Sequence, residues 1–341
     1  MVGATKSTDY QFFTLLGIAF TKIDNPVLSL SNGFLFGLES ALPKKVVLLI
    51  SSIKQFFQEY FLYFFSAFRR KPGKKPLFRS FTLESSYLAR PVDIQLLLPP
   101  QYENTVFGEQ FFPLVLFNDG QDLEAIQLEQ HLHEAYSRKG LPPIITAGIF
   151  PKDRMQEYGT AKIPDYKKRG KQAQAYTNFI LLELLPYLEA HFRVSKTPEN
   201  RAFAGFSLGG LSAFDICFKH PKVFGIVGVF SGALWWRSKA FNAKEPDADR
   251  IVHTYVEKTG KASKNQRYWF QTGTLDETSD RNNNGIIDAI DDTLDLISLL
   301  KKKGIPEKQI RYLEIQEGRH EPKTWSDAMP DFLSWAFAAE K

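Results

Sequence analysis

Blocks of apolar and polar positions alternate along most of the chain, and each block has the length and period of one strand or one helix. Continuous apolar runs at 111–117 and 144–150 predict buried strands, because a strand covered on both faces has no polar side. At 286–303 apolar residues recur with a helical period and Gly304 follows, which predicts a helix. The same patterns predict strands at 78–87, 91–98, 201–206, 223–230, 267–272 and 309–315, and helices at 123–138, 173–192, 211–219 and 325–337. Strands in alternation with helices predict an α/β fold whose mostly parallel sheet is covered by helices on both faces.

Residues 1–76 depart from this pattern and are predicted to form a separate extension and linker before one domain at 77–341. The extension contains ten Lys or Arg and four Asp or Glu, so it has a formal charge of +6, and the remaining residues sum to −1. Its most apolar stretch, 46–68, has basic residues at both ends, and Lys54 and Glu59 interrupt it, which argues against a membrane span. A helix lying on a membrane surface fits the basic ends. A helix packed on the domain, or a poorly ordered leader, fits the apolar residues on all its sides.

Charge and cysteine content exclude some classes of protein. Basic clusters are sparse after residue 76, so no nucleic-acid surface is expected. The single cysteine, Cys217, excludes a disulfide within the chain. The first apolar run, at 11–20, is a poor secretory signal, since its basic start is weak and no clear cleavage site follows.

A nucleophile is predicted at Ser207, within the stretch Gly205-Phe206-Ser207-Leu208-Gly209-Gly210. An apolar run precedes this G-x-S-x-G pattern and a helical pattern follows it, which is the strand–turn–helix setting of a nucleophile elbow. Such a turn strains the serine backbone and leaves no room for side chains at the glycines. The Leu208 amide would then lie at a helix N-terminus, facing an oxyanion. The alternative is a glycine-rich turn with an incidental serine.

A serine nucleophile needs a base, and the base needs a carboxylate that orients it. The strand predicted at 309–315 is followed by His320, and of the six histidines only this one lies in the loop where a base is expected. Asp276 follows the strand predicted at 267–272 and is the first candidate for the acid. Glu277 is the second candidate and Asp280 the third.

Other positions are predicted to complete the site. The Gln121 amide, in the glycine turn after the strand at 111–117, is the candidate second oxyanion donor, and an ordinary strand-end turn is the alternative. The long polar loop 151–171 has the length of a functional loop. The predicted substrate-binding residues are Arg154, Tyr158, Trp235 and Trp236. The two tryptophans suit an aromatic or sugar group, and a place in the core is the alternative for them.

Taken together, these motifs resemble the esterase D/enterochelin esterase-like family of α/β-hydrolases, which includes feruloyl esterase modules. The similarity covers about residues 77–341. It rests on Asp119-Gly120-Gln121, Gly205-Phe206-Ser207-Leu208-Gly209-Gly210, Gly273-Thr274-Leu275-Asp276 and Gly318-Arg319-His320-Glu321 with Trp325. The resemblance implies an α/β-hydrolase fold and a serine esterase with Ser207, Asp276 and His320 as its triad. It implies no cofactor for the chemistry.

The resemblance leaves the substrate and the compartment open. Siderophore, feruloyl and acetyl-sugar esters all occur in the family, so the expected partner is a small-molecule or glycan-linked ester. A periplasmic or secreted location is compatible with the family, and so is a cytoplasmic one. Two other functions remain: an acyltransferase on the same triad, and a catalytically silent binding module on a hydrolase fold.

A second motif, at 280–291, has the spacing of a calcium-binding EF-hand loop. The predicted ligands are Asp280, Asn282, Asn284, Ile286 through its carbonyl, Asp288 and Asp291. Position 12 is Asp291 rather than Glu, which makes bidentate binding harder and favours Mg²⁺ or weak Ca²⁺ binding. A bound Ca²⁺ would brace the segment after Asp276 and be structural, and Asp280 would then not serve as the triad acid. The alternative is an Asn/Gly turn that caps the following helix.

Overall fold

The computed structural model describes residues 75–103, 110–137 and 141–338 of the 341-residue chain. All of them belong to one unit, Pro72–Lys341. Nearly all of the predicted extension 1–76, including its predicted membrane-surface helix, lies outside the described residues. Within the described part, no helix combines the length and the hydropathy that crossing a bilayer requires.

One sheet of eight strands forms the centre of the domain. The strands are β1 (Leu77–Ser85), β2 (Arg90–Leu98), β3 (Leu114–Asn118), β4 (Ile145–Ile149), β5 (Arg201–Phe206), β6 (Ile226–Phe230), β7 (Arg267–Leu275) and β8 (Ile310–Arg319). Their order in the sheet is β1-β2-β4-β3-β5-β6-β7-β8. β2 pairs antiparallel with β1 and β4, and the other ladders are parallel. The predicted α/β fold with a mostly parallel sheet is therefore confirmed.

Helices cover both faces of this sheet. They are α1 (Leu128–Ser137), α2 (Arg154–Glu157), α3 (Ala173–Asn178), α4 (Leu185–His191), α5 (Leu208–Lys219), α6 (Ile251–Lys258), α7 (Asp288–Lys302) and α8 (Pro322–Phe337). Residues of α1 and α8 share one apolar core, which includes Leu132 and Phe332. Residues of α3 to α7 share the core on the opposite face.

The continuous apolar runs of the central strands follow from this double cover. In β3, Val115 and Phe117 belong to the core with α1 and α8, whereas Leu116 belongs to the opposite core. All five residues of β3 are buried. Successive side chains point to opposite faces of a strand, so a strand between two helix layers needs apolar residues at every position.

The helix predicted at 173–192 is interrupted. A π-helical turn at Phe179–Leu184 separates α3 from α4. Pro186 lies just after this turn and has no N–H to donate to the preceding turn of helix, which disfavours regular α-helix there. The predicted loop 151–171 also differs from expectation, because it contains the short helix α2 and a fully buried Tyr158.

Candidate active site

The turn after β5 has the strained geometry predicted for a nucleophile elbow. Ser207 has φ 53° and ψ −118°, a backbone conformation that is costly for a residue with a side chain. A Cβ atom on Gly205 would lie 2.5 Å from the carbonyl of Gly209. The glycine at 205 therefore allows β5 and the start of α5 to approach closely, and the helix begins at Leu208, immediately after the serine.

Strand register brings the proposed acid and base side by side. The last paired residues of β7 and β8 are Leu275 and Arg319, so Asp276 and His320 are the next residue of each chain segment. Neighbouring strands lie about 4.8 Å apart, which is the reach of one side-chain contact. β5 and β6 end in the same way. Their last pair is Phe206 and Phe230, so Ser207 and Ser231 are the next residues of those two segments.

Asp276 faces His320 across the end of the sheet. Its Oδ1 lies 3.9 Å from Nδ1 of His320, which is longer than a hydrogen bond. The Asp276 side chain is 1% exposed and that of His320 is 40% exposed. No other group of the described residues bonds to Asp276 Oδ1. The carboxylate thus has one free, buried oxygen directed towards the imidazole.

The rest of the Asp276 carboxylate is held in place. Oδ2 accepts a 3.0 Å hydrogen bond from the Gly273 amide, and the nearby Ser231 hydroxyl lowers the pKa of the carboxylate. Trp325 in turn donates its indole N–H to Ser231 Oγ at 3.0 Å. Ser231 is not among the residues predicted for the site. Its position directly after β6, as Ser207 follows β5, was the signal available.

Burial affects both members of the pair. Desolvation raises the pKa of Asp276, and the hydrogen bonds from Gly273 and Ser231 and the charge of His320 oppose that rise. Desolvation also lowers the pKa of His320, and the positive charge of Arg154 lowers it further, while Asp276 acts in the opposite direction. A neutral imidazole is the form that a general base requires.

Both candidate oxyanion donors lie at the start of a helix. Leu208 opens α5, and Gln121 lies in a single 3₁₀ turn, Gly120–Asp122, directly after β3. Amides in the first turn of a helix have no carbonyl partner within it, so they are available to an anion. β3 and β5 are neighbours in the sheet, which puts both turns at the same edge.

Two of the four predicted substrate-binding residues have no solvent-exposed surface that a substrate could contact. Tyr158 and Trp236 are both fully buried. The Tyr158 hydroxyl instead accepts a 2.9 Å hydrogen bond from the Asp119 amide. Direct substrate contact by these two residues was therefore a wrong prediction. Trp235 is 40% exposed, and Arg154 is partly exposed.

A pocket of about 490 Å³ is lined in part by Glu277, the residue that follows Asp276 in the chain. Its lining residues are Trp235, Arg237, Phe241, Glu277, Ser279, Asp280, Arg281 and Asp288. Glu277 has its pKa raised to about 7, chiefly by desolvation and then by the negative charge of Asp288. The nearby Ala289 amide opposes this rise, and His320 is not among the charges that act on Glu277. Of the acid candidates, Asp276 is the one that faces His320.

The predicted calcium loop is a turn held by its own backbone. Asp280 accepts the Gly285 amide at 2.9 Å, and Asn284 Oδ1 accepts the Ile286 amide at 2.8 Å. Asp288 Oδ1 accepts both the amide and the guanidinium of Arg281, at 2.8 and 3.1 Å. These oxygens therefore already have donors.

The remaining predicted ligands are used in the same way. The side-chain amides of Asn282 and Asn284 both donate to Asp291 Oδ2, at 3.0 and 2.9 Å. Across the described ranges, no group of three or more His, Cys, Asp or Glu side chains could hold a metal ion. Calcium binding is not supported. The Asn/Gly turn before the helix fits the structure, although no side chain caps the N-terminus of α7.

Comparison with known proteins gives the same class of fold and a family. The sequence model of the esterase family, described as "Putative esterase", matches residues 85–336. The uncharacterized protein YbbA of Bacillus subtilis (strain 168) is 28% identical over 251 residues, which are 72% of this chain and 92% of YbbA.

Solved structures share the fold. The enterobactin esterase FES from Shigella flexneri, in the presence of enterobactin, superposes with a TM-score of 0.59 at 19% identity. The similarity covers 77% of this chain and 59% of that one, so the chain spans well under two thirds of the FES chain. A ferulic acid esterase superposes with a TM-score of 0.58 at 16% identity, over 77% of this chain and 99% of that chain.

Proposed function

The chain belongs to the esterase family and is an esterase, and we propose that it acts through a covalent acyl-enzyme on Ser207. In this mechanism His320 takes the serine proton as the hydroxyl oxygen attacks the ester carbonyl, and then gives that proton to the leaving alcohol. Asp276 holds the ring in the tautomer whose Nε2 is the base. Water then attacks the acyl-enzyme, its proton passes through His320 to Ser207, and the acid is released.

The observation that carries this proposal is the arrangement of Asp276 and His320 at the end of the sheet. Each follows a residue of the last pair between β7 and β8, and the one unbonded oxygen of Asp276 faces Nδ1 of His320. A buried carboxylate oxygen without a donor is costly. We propose that the His320 ring moves closer than the 3.9 Å seen here when the site is occupied, so that a proton on Nδ1 satisfies this oxygen and Nε2 is left to accept from Ser207.

The amides of Leu208 and Gln121 are proposed to hold the oxyanion of the tetrahedral intermediate. Both belong to the first turn of a helix or 3₁₀ turn, where N–H groups lack internal partners. Hydrogen bonds from such fixed donors strengthen as negative charge develops on the carbonyl oxygen. They therefore stabilise the transition state more than the bound ester.

The test is hydrolysis of p-nitrophenyl acetate by the full-length protein beside Ser207→Ala and Ser212→Ala. Ser212 is a buried serine on the same helix and is the matched control. The proposal expects release of p-nitrophenol by the wild type and Ser212→Ala, and only background release by Ser207→Ala. Equal rates for all three proteins would refute Ser207 as the nucleophile. No labelling of a folded wild type by a fluorophosphonate probe would favour a silent binding module.

The same acyl-enzyme allows transfer of the acyl group to an alcohol instead of water. Mass spectrometry of the products, with a sugar acceptor in excess, separates the two reactions. Free acid as the main product supports hydrolysis, and an acylated sugar as the main product supports an acyltransferase.

For the substrate, we propose an ester whose ring or sugar group occupies the pocket that is lined in part by Glu277. Trp235 and Phe241 line this pocket and keep 40% and 52% of their surfaces exposed. Exposed aromatic faces suit stacking on a planar ring or a sugar. A panel of enterobactin, methyl ferulate and an acetylated xyloside tests the three ester classes. Loss of rate on one of them in Trp235→Ala, with p-nitrophenyl acetate unaffected, would identify the class.

A further inference from the structure

The sheet itself does not fix the distance between the two proposed oxyanion donors. The last paired residues of β3 and β5 are Phe117 and Ala204. Gln121 and Leu208 lie four residues beyond that pair, on two segments that turn away into separate helical turns. Since two donors act on one oxygen only at a defined separation, something else must hold these segments together.

Arg154 connects them. Its Nε donates to Asp119 Oδ1 at 2.8 Å, and its Nη2 donates to Asp119 Oδ2 at 3.1 Å. The same Nη2 donates to the carbonyl of Phe206 at 3.0 Å. Asp119 lies two residues before one oxyanion donor, and Phe206 lies two residues before the other. A guanidinium from α2 therefore bonds to both segments at equivalent positions.

Asp119 needs this partner for its charge as well. Its side chain is fully buried, and its backbone is left-handed, with φ 60° and ψ 55°. A Cβ atom on Gly209 would lie 2.5 Å from Asp119 Oδ2, so the carboxylate rests against the first turn of α5. The dipole of α5 favours the negative charge of Asp119 at this place, but that charge repels the negative charge that develops on the substrate oxygen nearby. The positive charge of Arg154 offsets this repulsion.

The surrounding polar groups are bonded independently of Arg154. Asn118 donates to the Gly209 carbonyl at 2.7 Å and accepts from the Tyr176 hydroxyl at 2.6 Å. The Tyr158 hydroxyl accepts the amide of Asp119. Removal of the guanidinium thus leaves these buried hydrogen bonds in place, so the local fold keeps its support while the charge and the bridge are lost.

We propose that Arg154 and Asp119 form a positioning pair, which sets the separation and the electrostatic field of the Leu208 and Gln121 amides. Arg154 acts through these amides and not by binding the substrate, contrary to the role that the sequence predicts for it. This inference rests on the proposed function, since it concerns the oxyanion of that reaction. The pair contributes to the transition state, so its loss lowers kcat more than it raises KM.

The experiment compares Arg154→Gln, Asp119→Asn and the double variant in the full-length protein. Two esters are used: p-nitrophenyl acetate, which is small and neutral, and a p-nitrophenyl ester whose acyl chain ends in a carboxylate. Arg154→Gln is expected to lower kcat on both esters by about 10- to 100-fold, with KM changed less than about threefold. The double variant is expected to recover part of that loss, because the unpaired buried carboxylate is gone.

Arg90→Gln is the matched control. Arg90 makes the same kind of two-nitrogen contact, at 2.9 and 2.6 Å, with the buried Glu157 at the other end of α2. It contacts neither Asp119 nor Phe206. Its loss therefore destabilises the same helix without touching the oxyanion segments, and kcat is expected to stay within about twofold of the wild type while the melting temperature falls.

Several results would overturn the inference: an unchanged kcat in Arg154→Gln, a change confined to KM for the carboxylate ester, or an equal loss of kcat in Arg90→Gln. If Arg154→Gln does not fold, Arg154→Lys retains the charge but not the fork of two nitrogens. The kcat of Arg154→Lys should fall by less than about tenfold, but by more than the kcat of Arg90→Gln. An unchanged kcat in Arg154→Lys would again overturn the inference. Labelling of Ser207 by a fluorophosphonate in the wild type supports the proposed function separately. A wild type that neither hydrolyses the esters nor is labelled refutes both proposals.

Discussion

Oδ1 of Asp276 lies 3.9 Å from Nδ1 of His320, and among the described residues it has no hydrogen-bond donor. Glu277, the next residue, lies near the Ala289 amide and the acidic residues of α7. Two adjacent carboxylates of similar burial therefore have different surroundings, and only the first one faces the imidazole.

Replacement of each carboxylate by its amide tests that difference. The amide in Asp276→Asn has no negative charge with which to hold the protonated Nδ1 of His320. The kcat for p-nitrophenyl acetate should therefore fall by about 10⁴-fold. Glu277→Gln should keep kcat within about threefold, because Glu277 does not act through His320. Steady-state kinetics on both variants at pH 8 decides between them. A larger loss in Glu277→Gln would identify Glu277 as the triad acid.

The pH dependence of the reaction should reflect the burial of His320. Its pKa is lowered below the usual 6.5, chiefly by desolvation and also by Arg154. The base must be neutral, so kcat/KM should rise with pH through an apparent pKa below 6.5 and stay constant above it. Initial rates between pH 4.5 and 8.5 measure this limb. Because Asp276 and His320 titrate together, the value belongs to the pair, and a limb centred above 6.5 would contradict the assignment.

Glu277 should make the fold less stable at high pH. Its pKa is raised to about 7 from the usual 4.5, so the folded protein holds this proton more tightly than the unfolded chain. That contribution is fully present below about pH 4.5 and is lost as the pH rises through 7. Glu277→Gln removes the carboxylate, so its melting temperature should exceed that of the wild type at pH 8 but not at pH 5. Equal differences at the two pH values would contradict the raised pKa.

Arg281 should be important for stability. Its side chain is 2% exposed and contacts four carboxylates, among them the buried Asp292 at 3.1 Å. Arg281→Gln leaves negative charge uncompensated, and although Arg250 still contacts Asp292, a loss of about 3 kcal/mol is expected. Urea unfolding followed by tryptophan fluorescence measures it.

The control for that measurement is Arg79→Gln. Arg79 pairs with Glu103 at 2.8 Å, but the two side chains are 54% and 61% exposed. Solvent screens such a pair, so the change in unfolding free energy should be below about 1 kcal/mol. Equal losses in the two variants would show that the Arg281 cluster adds nothing beyond a surface ion pair.

Much of the fold was predictable because burial acts on every residue of a strand or helix. The hydrophobic pattern predicted all eight strands. β3 and β4 are buried at every position and have continuous apolar runs, whereas β1 and β8 keep exposed positions among apolar ones. The π-helical turn at Phe179–Leu184 was missed, because one extra residue in a turn hardly changes the helical period. Pro186 was the one local sign of it.

The site was less predictable where contacts join distant positions. Arg154 and Asp119 are 35 residues apart and belong to no common pattern, so only the folded chain brings them together. The calcium spacing at 280–291 failed for another reason. Asp and Asn oxygens at those intervals also accept backbone amides of a tight turn, as the contact between Asn284 and Ile286 shows.

Strand register has a further consequence for how this protein can change. Ser207, Asp276 and His320 each directly follow a strand, so the sheet fixes the positions of the three groups relative to one another. Segments such as 151–171 and 234–250 lie outside the strands and do not determine those positions. New loops grafted there should alter which ester is accepted while the hydrolytic chemistry persists. One residue deleted within β8 should abolish the chemistry for every ester at once.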